Sequence, residues 1–230
     1  LSSQWTDVDI AVHEILAKFG APSASIAIVK DGKIAYEQAY GLARVDAKTP
    51  ATPAMRYCIG SISKQFTAAA ILLLVEEGRL SLDDRVVRWL PQLTRAKDFT
   101  IRHLPTMTSG YRDYWPQDYV MPMMMSDVEP AEILEQWAEK PLDFEPGTKR
   151  QYSNTNYTIL GMILERVAGI PLMQFLQQRI FAPLDMKVVT YIDGIALGPD
   201  DPMRCQRFAL GPPREAPKEG KSWLFAMGSL

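Results

Sequence analysis

Ser61 and Lys64 lie three residues apart, a spacing that could support nucleophilic chemistry. On a helix, residues three apart lie on one face and their side chains can touch. A lysine amine there could take the proton of the serine hydroxyl, provided that burial or a neighbouring positive charge disfavours the ammonium form. The spacing alone is equally compatible with a capping serine beside a surface lysine.

Tyr152 and Asn154 form a second and rarer pattern. The chain of 230 residues has nine tyrosines and two asparagines, so a Tyr-x-Asn triplet seldom arises by chance. A tyrosine held beside a lysine could serve as general base or proton shuttle, and the asparagine could hydrogen-bond a substrate amide and the lysine. We therefore predict a catalytic set of Ser61, Lys64 and Tyr152. Asn154 is the predicted substrate-binding residue.

The residues around Ser61 predict a central helix that positions this pair. Gly60 allows a tight entry, and residues 63–77 are apolar on nearly every face before Gly78 ends the pattern. Ser61 is then expected at the helix N-terminus. Free backbone N–H groups and the helix dipole favour developing negative charge at that position.

The segments before this helix predict a helix and a hairpin. Residues 6–19 have apolar side chains at helical spacing behind a Thr6 cap, and Gly20 closes the pattern. Two apolar-rich runs, 24–29 and 33–40, flank an Asp-Gly turn. A β-hairpin is the expected structure.

Residues 83–186 predict a largely helical region. Its helical segments are 85–90, 101–107, 130–139, 156–168 and 172–181. Beyond this region, residues 188–192 favour a strand. Residues 211–220 are rich in proline, glycine and charge, which is typical of a surface loop.

Composition excludes several classes of protein. Hydrophobic residues make up 47% of the chain, which is enough to bury a core, and the net charge of −2 comes without a basic stripe, so no nucleic-acid partner is expected. The longest apolar run, 68–75, is too short to span a membrane. With two histidines and no cysteine near either, we predict no metal and no cofactor. Cys58 and Cys205 are expected to be free thiols.

Several segments together resemble one family. The chain resembles the β-lactamase-related serine hydrolases, a group of class C β-lactamases, penicillin-binding proteins, D,D-peptidases and esterases. The matching segments are 59–66, 77–84, 101–104, 108–110, 144–148 and 152–154.

The resemblance implies an acyl-enzyme mechanism on an ester, amide or peptide of small size. Ser61 would attack the carbonyl group, Lys64 and Tyr152 would move protons, and Asn154 would orient the substrate. Esterase, D-amino-acid peptidase and β-lactamase activity all stay open. The implied location is periplasmic or secreted, and a cytoplasmic location stays open.

The implied fold is α/β of the α+β type, β-lactamase/transpeptidase-like, with an antiparallel sheet flanked by helices beside a mainly helical subdomain. Residues 1–82 would form the N-terminal part of the α/β subdomain, 83–186 the helical subdomain, and 187–230 a return segment towards the sheet. Because relatives continue with a further helix and more strands, the chain is expected to be truncated and its sheet incomplete. An exposed sheet edge could then support an oligomer.

The chain departs from the family pattern in two places. The third motif, Lys-Thr-Gly or His-x-Gly, is missing, and after Tyr152 the one Lys-x-Gly triplet is 218–220, in the proline-rich segment. Pro105 and Met107 replace a leucine and a histidine that are common in relatives. The proline could end a helix early, and the methionine removes a hydrogen-bonding imidazole.

These departures keep two alternatives open, a non-catalytic penicillin-binding-like sensor module and an inactive fragment. Cys58 could be offered as a nucleophile, but no histidine is placed to activate it, and core packing is the preferred interpretation. A group of methionines and aromatic residues could form an adaptable apolar lip or simply pack a loop: Tyr111, Tyr114, Trp115, Tyr119, Met121, Met123, Met124 and Met125.

Overall fold

The computed structural model describes residues 3–45, 47–57, 59–115, 128–187, 189, 205–207 and 213–215. Two compact units account for most of them, one built on residues 3–57 and the other on residues 59–189. Two short strands, β4 (Cys205–Arg207) and β5 (Pro213–Glu215), pair with each other in a separate two-stranded sheet.

The first unit begins with helix α1 (Thr6–Phe19), which has the predicted bounds. Gly20 adopts a left-handed conformation and its N–H caps the carbonyl groups of the last turn, as expected for a C-terminal glycine. The prediction of Thr6 as the cap is wrong. A 3₁₀ turn at Ser3–Trp5 runs into the helix, so the capping position falls on Trp5 and Thr6 is already helical.

The hairpin consists of β1 (Ser23–Lys30) and β2 (Lys33–Arg44), paired antiparallel from Ser23–Gly41 to Lys30–Lys33. Asp31 and Gly32 both have positive φ, the conformation that a two-residue hairpin turn requires. A third strand, β3 (Thr49–Pro50), pairs with the end of β2. Within this described sheet, β1 is an edge strand, and association through such an edge stays a prediction.

A polar network joins α1 to β2 in the first unit. The Tyr36 and Tyr40 hydroxyls donate to Asp9 Oδ1 at 2.5 and 2.7 Å, and they also contact each other. The bonds from Tyr36 and then Tyr40 hold the pKa of Asp9 below its usual value. Burial, together with the bonds to Tyr36 and Asp9, raises the pKa of Tyr40. The network ties the helix to the hairpin.

The second unit contains α2 (Lys64–Glu76), α3 (Pro130–Trp137), α4 (Asn154–Ala168) and α5 (Leu172–Leu176). Helix α2 packs on α4 and α5, and α4 also contacts α3. The compact units divide the chain near residue 57, because α2 belongs with the helices. The predicted subdomain bounds, 1–82, 83–186 and 187–230, stay a prediction. The buried core includes Ala70, Ile71, Leu74, Leu90, Phe99, Leu104, Ile159, Leu160, Ile163, Leu164, Phe175 and Phe181.

Two predicted helices of this unit are wrong. Segments 85–90 and 101–107 contain only three-residue 3₁₀ turns, Val86–Arg88 and Ile101–His103. Arg85 and Thr100 form an antiparallel bridge, and the N–H groups of Val86 and Ile101 donate across it to other loop residues. Backbone groups used between segments are not available for a helix.

The later helices are close to the predicted ones. Helix α4 begins at Asn154, two residues earlier than expected, and α5 continues as a π-helical turn at Gln177–Phe181. Helix α2 is less buried than predicted, since its Leu72 is 54% exposed. Among the described residues no single helix is long and apolar enough to cross a membrane; only α4 taken together with 172–181, bent by 72° at their junction, meets the length and composition required.

Some predictions concern residues outside the described part of the chain. These are Cys58, the Cys205 side chain, Tyr119, the methionines of 121–125, the strand at 188–192 and the triplet 218–220.

Candidate active site

The entry to α2 places Ser61 and Lys64 side by side. Gly60 has φ +51°, a left-handed conformation that glycine adopts without strain, and it starts a 3₁₀ turn at Gly60–Ser63 that leads into α2. The Ser63 hydroxyl donates to the Gly60 carbonyl at 2.6 Å and ties this turn together. Ser61 is exposed, whereas Lys64 is only 7% exposed.

The start of α4 supplies the other two predicted residues. Asn154 is the first residue of α4 and is 2% exposed, while Tyr152 precedes the helix and is 38% exposed. The predicted site therefore has a buried half, Lys64 and Asn154, and a half open to solvent, Ser61 and Tyr152.

The structure brings all four side chains into one hydrogen-bonded cluster. Ser61 Oγ lies 2.6 Å from Tyr152 Oη, and Lys64 Nζ donates to Ser61 Oγ at 3.0 Å. Lys64 Nζ also donates to Asn154 Oδ1 at 2.7 Å, and Tyr152 Oη donates to the same oxygen at 3.2 Å. About 90 residues of sequence separate the two pairs that meet here.

Aromatic rings surround the lysine. Lys64 Nζ lies 5.3 Å from the ring centroid of Tyr152 and 5.5 Å from that of Tyr157, within range of cation–π attraction. Burial raises the pKa of Tyr157, and the electrostatic interaction with Tyr152 raises it further. Tyr157 therefore stays neutral beside the cluster and contributes an apolar wall.

This arrangement can activate the Ser61 hydroxyl. Two groups lie within hydrogen-bond reach of Ser61 Oγ, the Lys64 amine and the Tyr152 phenol, and either could accept its proton. Asn154 accepts from Lys64 and so fixes the direction of the lysine side chain. The geometry is that of an activated nucleophile with an oriented base.

Asp113 belongs to this cluster, and the sequence analysis did not identify it. Its Oδ1 accepts the backbone N–H of Asn154 at 2.9 Å, and both carboxylate oxygens accept from Asn154 Nδ2 at 3.2 and 3.3 Å. A separation of 41 residues leaves no local pattern that links the two. The nearest signal was the Thr-Ser-Gly segment at 108–110, which precedes it.

The segment that carries Asp113, residues 109–113, runs alongside the first turn of α4. Ser109 Oγ donates to Asn156 Oδ1 at 2.5 Å, and Thr155 Oγ1 donates to the Arg112 carbonyl at 2.8 Å. Gly110 starts the loop with φ +89°, and an added Cβ there would lie 2.2 Å from the Phe144 carbonyl oxygen. Three successive residues of α4, 154 to 156, thus each form a hydrogen bond with a residue of this loop.

Met107 accepts a hydrogen bond from Asn156, a residue in the first turn of α4. It is 5% exposed with φ +60°, and its Sδ accepts from Asn156 Nδ2 at 3.4 Å. A thioether is a weak acceptor, but here it satisfies a buried amide that also binds Ser109. Pro105 lies just after the 3₁₀ turn that ends at His103.

Tyr111 and Tyr114 are buried, so for these two residues the packing alternative holds and the apolar lip does not. They are 2% and 0% exposed. The Tyr111 hydroxyl donates to the Thr94 carbonyl at 2.9 Å and its ring packs 5.2 Å from that of Phe99. Burial raises the pKa of Tyr111, which makes it a neutral core residue. Within the described ranges, no group of three or more histidine, cysteine or acidic side chains is placed to hold a metal ion.

The sequence is similar to that of known proteins. The sequence profile of the beta-lactamase family matches residues 8–201. Protein flp of Staphylococcus aureus is 35% identical over 192 residues, which cover 80% of this chain and 38% of that protein. A D-aminopeptidase of Brucella anthropi is 34% identical over 191 residues, which cover 81% of this chain and 36% of the relative.

A solved structure is similar over nearly the whole chain. The D-amino acid amidase from Ochrobactrum anthropi SV3, complexed with L-phenylalanine amide, matches with a TM-score of 0.81 and 28% identity. The match covers 96% of this chain and 65% of the amidase. The predicted α/β fold with its helical region is thereby confirmed, and the chain spans less than two-fifths of the two curated relatives.

Proposed function

Because the chain belongs to the beta-lactamase family, we propose that it carries the nucleophile centre of a serine hydrolase that works through an acyl-enzyme on esters or amides. One observation carries the proposal. The exposed Ser61 hydroxyl lies 2.6 Å from Tyr152 Oη and 3.0 Å from the buried Lys64 amine. A serine that serves only as a helix cap needs neither contact.

The proposed reaction begins when Ser61 Oγ forms a bond to the carbonyl carbon of the substrate. The hydroxyl proton passes to Lys64 or Tyr152, and the carbonyl oxygen gains the negative charge. The same proton then goes to the leaving amine or alcohol as its bond to carbon breaks. Water attacks the resulting ester in the second half-reaction and releases the acid.

We propose amides of D-amino acids as the substrate class of this hydrolase. The support is similarity to a D-aminopeptidase and a D-amino acid amidase, each of which extends well beyond the residues matched here. Comparing hydrolysis of a D-amino acid amide with that of its L-enantiomer tests this choice. Equal rates on both enantiomers would remove the support for D-specificity and leave a general hydrolase.

Covalent labelling tests the nucleophile. The protein is incubated with a fluorophosphonate and, separately, with a penicillin, and its intact mass is measured over time. We expect one adduct per chain with each reagent, abolished in Ser61→Ala. The matched control is Ser81→Ala, because Ser81 is exposed and its hydroxyl accepts from the Asp83 N–H in another loop, and this variant should label normally.

The outcomes separate the competing functions. If no adduct depends on Ser61, the proposal is contradicted for this chain. A long-lived penicillin adduct without substrate turnover favours the alternative of a penicillin-binding sensor. Adduct formation followed by release and hydrolysis supports the hydrolase.

A further inference from the structure

Asp113 contacts Asn154 in a way that discriminates between the two ends of an amide. An ionised carboxylate can only accept hydrogen bonds, whereas an asparagine side chain has an accepting oxygen and a donating NH₂ group. Asp113 takes the NH₂ group with both oxygens, at 3.2 and 3.3 Å. The amide oxygen is therefore directed to the opposite side.

The opposite side holds the Lys64 amine. Asn154 Oδ1 accepts from Lys64 Nζ at 2.7 Å, and Asn154 is 2% exposed, so bulk water competes little with either bond. If the amide were rotated by 180°, its NH₂ group would face the N–H groups of Lys64, and two donors would oppose each other. Asp113 removes that orientation because the rotated amide would also put its oxygen against the carboxylate.

Asp113 also fixes the backbone that carries Asn154. Ser153 holds the capping position of α4 but makes no side-chain capping hydrogen bond among the described residues. Asp113 Oδ1 accepts the Asn154 N–H instead, at 2.9 Å, and so caps the helix from another segment. One carboxylate thereby sets both the start of α4 and the direction of its first side chain.

We infer that Asp113 is a positioning residue for the reaction, and that it acts through Asn154 on the Lys64 amine that activates Ser61. This inference rests on the proposed function. The carboxylate touches no reacting atom in the cluster described above, and it keeps the lysine directed at Ser61 Oγ.

The variant Asp113→Asn separates this role from helix capping. Asparagine caps a helix about as well as aspartate, so the thermal midpoint should stay close to that of the wild type. With its oxygen kept on the Asn154 N–H, its NH₂ group replaces Oδ2 and opposes the NH₂ group of Asn154, so the preference for one orientation is weakened. With the fluorophosphonate, we expect the maximum labelling rate constant to fall about 10- to 100-fold and the half-saturating concentration to stay unchanged.

A matched control comes from the neighbouring loop between α3 and α4. Asp143 accepts from Arg112, next to Asp113, and from Gln151, with no contact to Asn154. Asp143→Asn removes the same charge and should label at the wild-type rate. In Asn154→Ala, adding Asp113→Asn should have little further effect, because residues that act as one unit give non-additive losses.

A second measurement does not depend on activity. The chain has two asparagines, 154 and 156, so protein labelled with ¹⁵N-asparagine shows two side-chain amide pairs, and Asn154→Ala identifies the pair of Asn154. Asp113→Asn adds a third pair from the substituted side chain, and it should move the pair of Asn154 and leave the pair of Asn156 in place. Asp143→Asn also adds a pair and should move neither of the original two.

The two measurements distinguish the possible failures. A wild-type protein that does not label contradicts the proposed function, and the amide spectrum still decides whether Asp113 sets the orientation of Asn154. An unmoved Asn154 pair, or an unchanged labelling rate in an active Asp113→Asn variant, overturns the inference. A lower thermal midpoint with unchanged labelling would leave Asp113 with a structural role alone.

Discussion

Two aspartates in this chain each anchor a network that contains tyrosine, and the two networks differ in what lies at their centre. In the first unit, Asp9 accepts from Tyr36 and Tyr40. In the second unit, Asp113 accepts from Asn154, whose oxygen accepts from the buried Lys64. The same carboxylate chemistry joins a helix to a strand in one case and, in the other, leads to the serine that is the proposed nucleophile.

The difference lies in the lysine and not in exposure, since Tyr40 is 5% exposed and Lys64 is 7% exposed. Lys64 makes hydrogen bonds to Ser61 and Asn154, so under the proposed function moving its proton changes the state of the nucleophile. The tyrosines around Asp9 hold their protons more tightly, since burial comes first among the causes that raise the pKa of Tyr36 and Tyr40. A carboxylate among protonated phenols binds elements together but moves no proton near neutral pH.

Replacing the lysine should have the largest effect if the buried amine makes the difference. We expect Lys64→Met to lower the rate of Ser61 labelling by about 10²- to 10⁴-fold, the usual range for loss of an acid–base group. The unfolding free energy should fall by no more than about 1 kcal/mol, because an apolar side chain replaces a buried amine. Labelling kinetics and urea unfolding measure the two effects.

The matched control for that variant is Lys140→Met. Lys140 also lies over an aromatic ring, 4.8 Å from the centroid of Trp137, but it is exposed. Its ring partner is the last residue of α3 and not a member of the cluster around Ser61. Its replacement should leave labelling unchanged. Equal losses in both variants would show that lysine content, and not the position of Lys64, determines reactivity.

Removing one tyrosine hydroxyl in each network compares the two networks directly, and the expected loss of labelling rate is smaller than for Lys64→Met. Tyr152→Phe should slow labelling about 100-fold, because the phenol that lies 2.6 Å from Ser61 Oγ is lost while the ring that faces Lys64 remains. Its counterpart, Tyr36→Phe in the first network, should label at the wild-type rate. If Tyr152→Phe also labels normally, the proton passes through Lys64 alone.

The smallest effect is expected at Asp9 and concerns stability at acid pH. Its pKa is lowered in the folded protein from an ordinary value of 3.8, so ionised Asp9 stabilises the fold above that pH, and this contribution is lost as the pH falls below 3.8 through the lowered pKa. Asp9→Asn lacks a titrating group. The gap in unfolding free energy between wild type and variant should therefore narrow on acidification.

Urea unfolding of both proteins between about pH 6 and about pH 2 measures that gap, since linkage confines the change to the window around the two pKa values. Labelling of Ser61 at neutral pH should be the same in both. A gap that stays constant or widens on acidification would show that the tyrosine hydroxyls do not stabilise the charged carboxylate.

Local patterns were sufficient for the elements that depend on near neighbours. Helix α1 has the predicted bounds, and the hairpin turn is at Asp31 and Gly32, because a glycine cap and a positive-φ turn are decided by adjacent residues. They failed at 85–90 and 101–107. There the backbone groups bond across the bridge between Arg85 and Thr100, a contact that periodicity does not contain.

By itself the sequence determined the family and the identities of four residues that could act together, since Ser-x-x-Lys and Tyr-x-Asn are local patterns whose residue types carry their own chemistry. Only the tertiary structure decided that the two patterns meet, that Lys64 and Asn154 are buried while Ser61 is exposed, and that Asp113 orients the amide between them. Hydrogen bonds between residues 41 to 91 positions apart depend on how helices and loops pack, and no spacing along the chain records that packing.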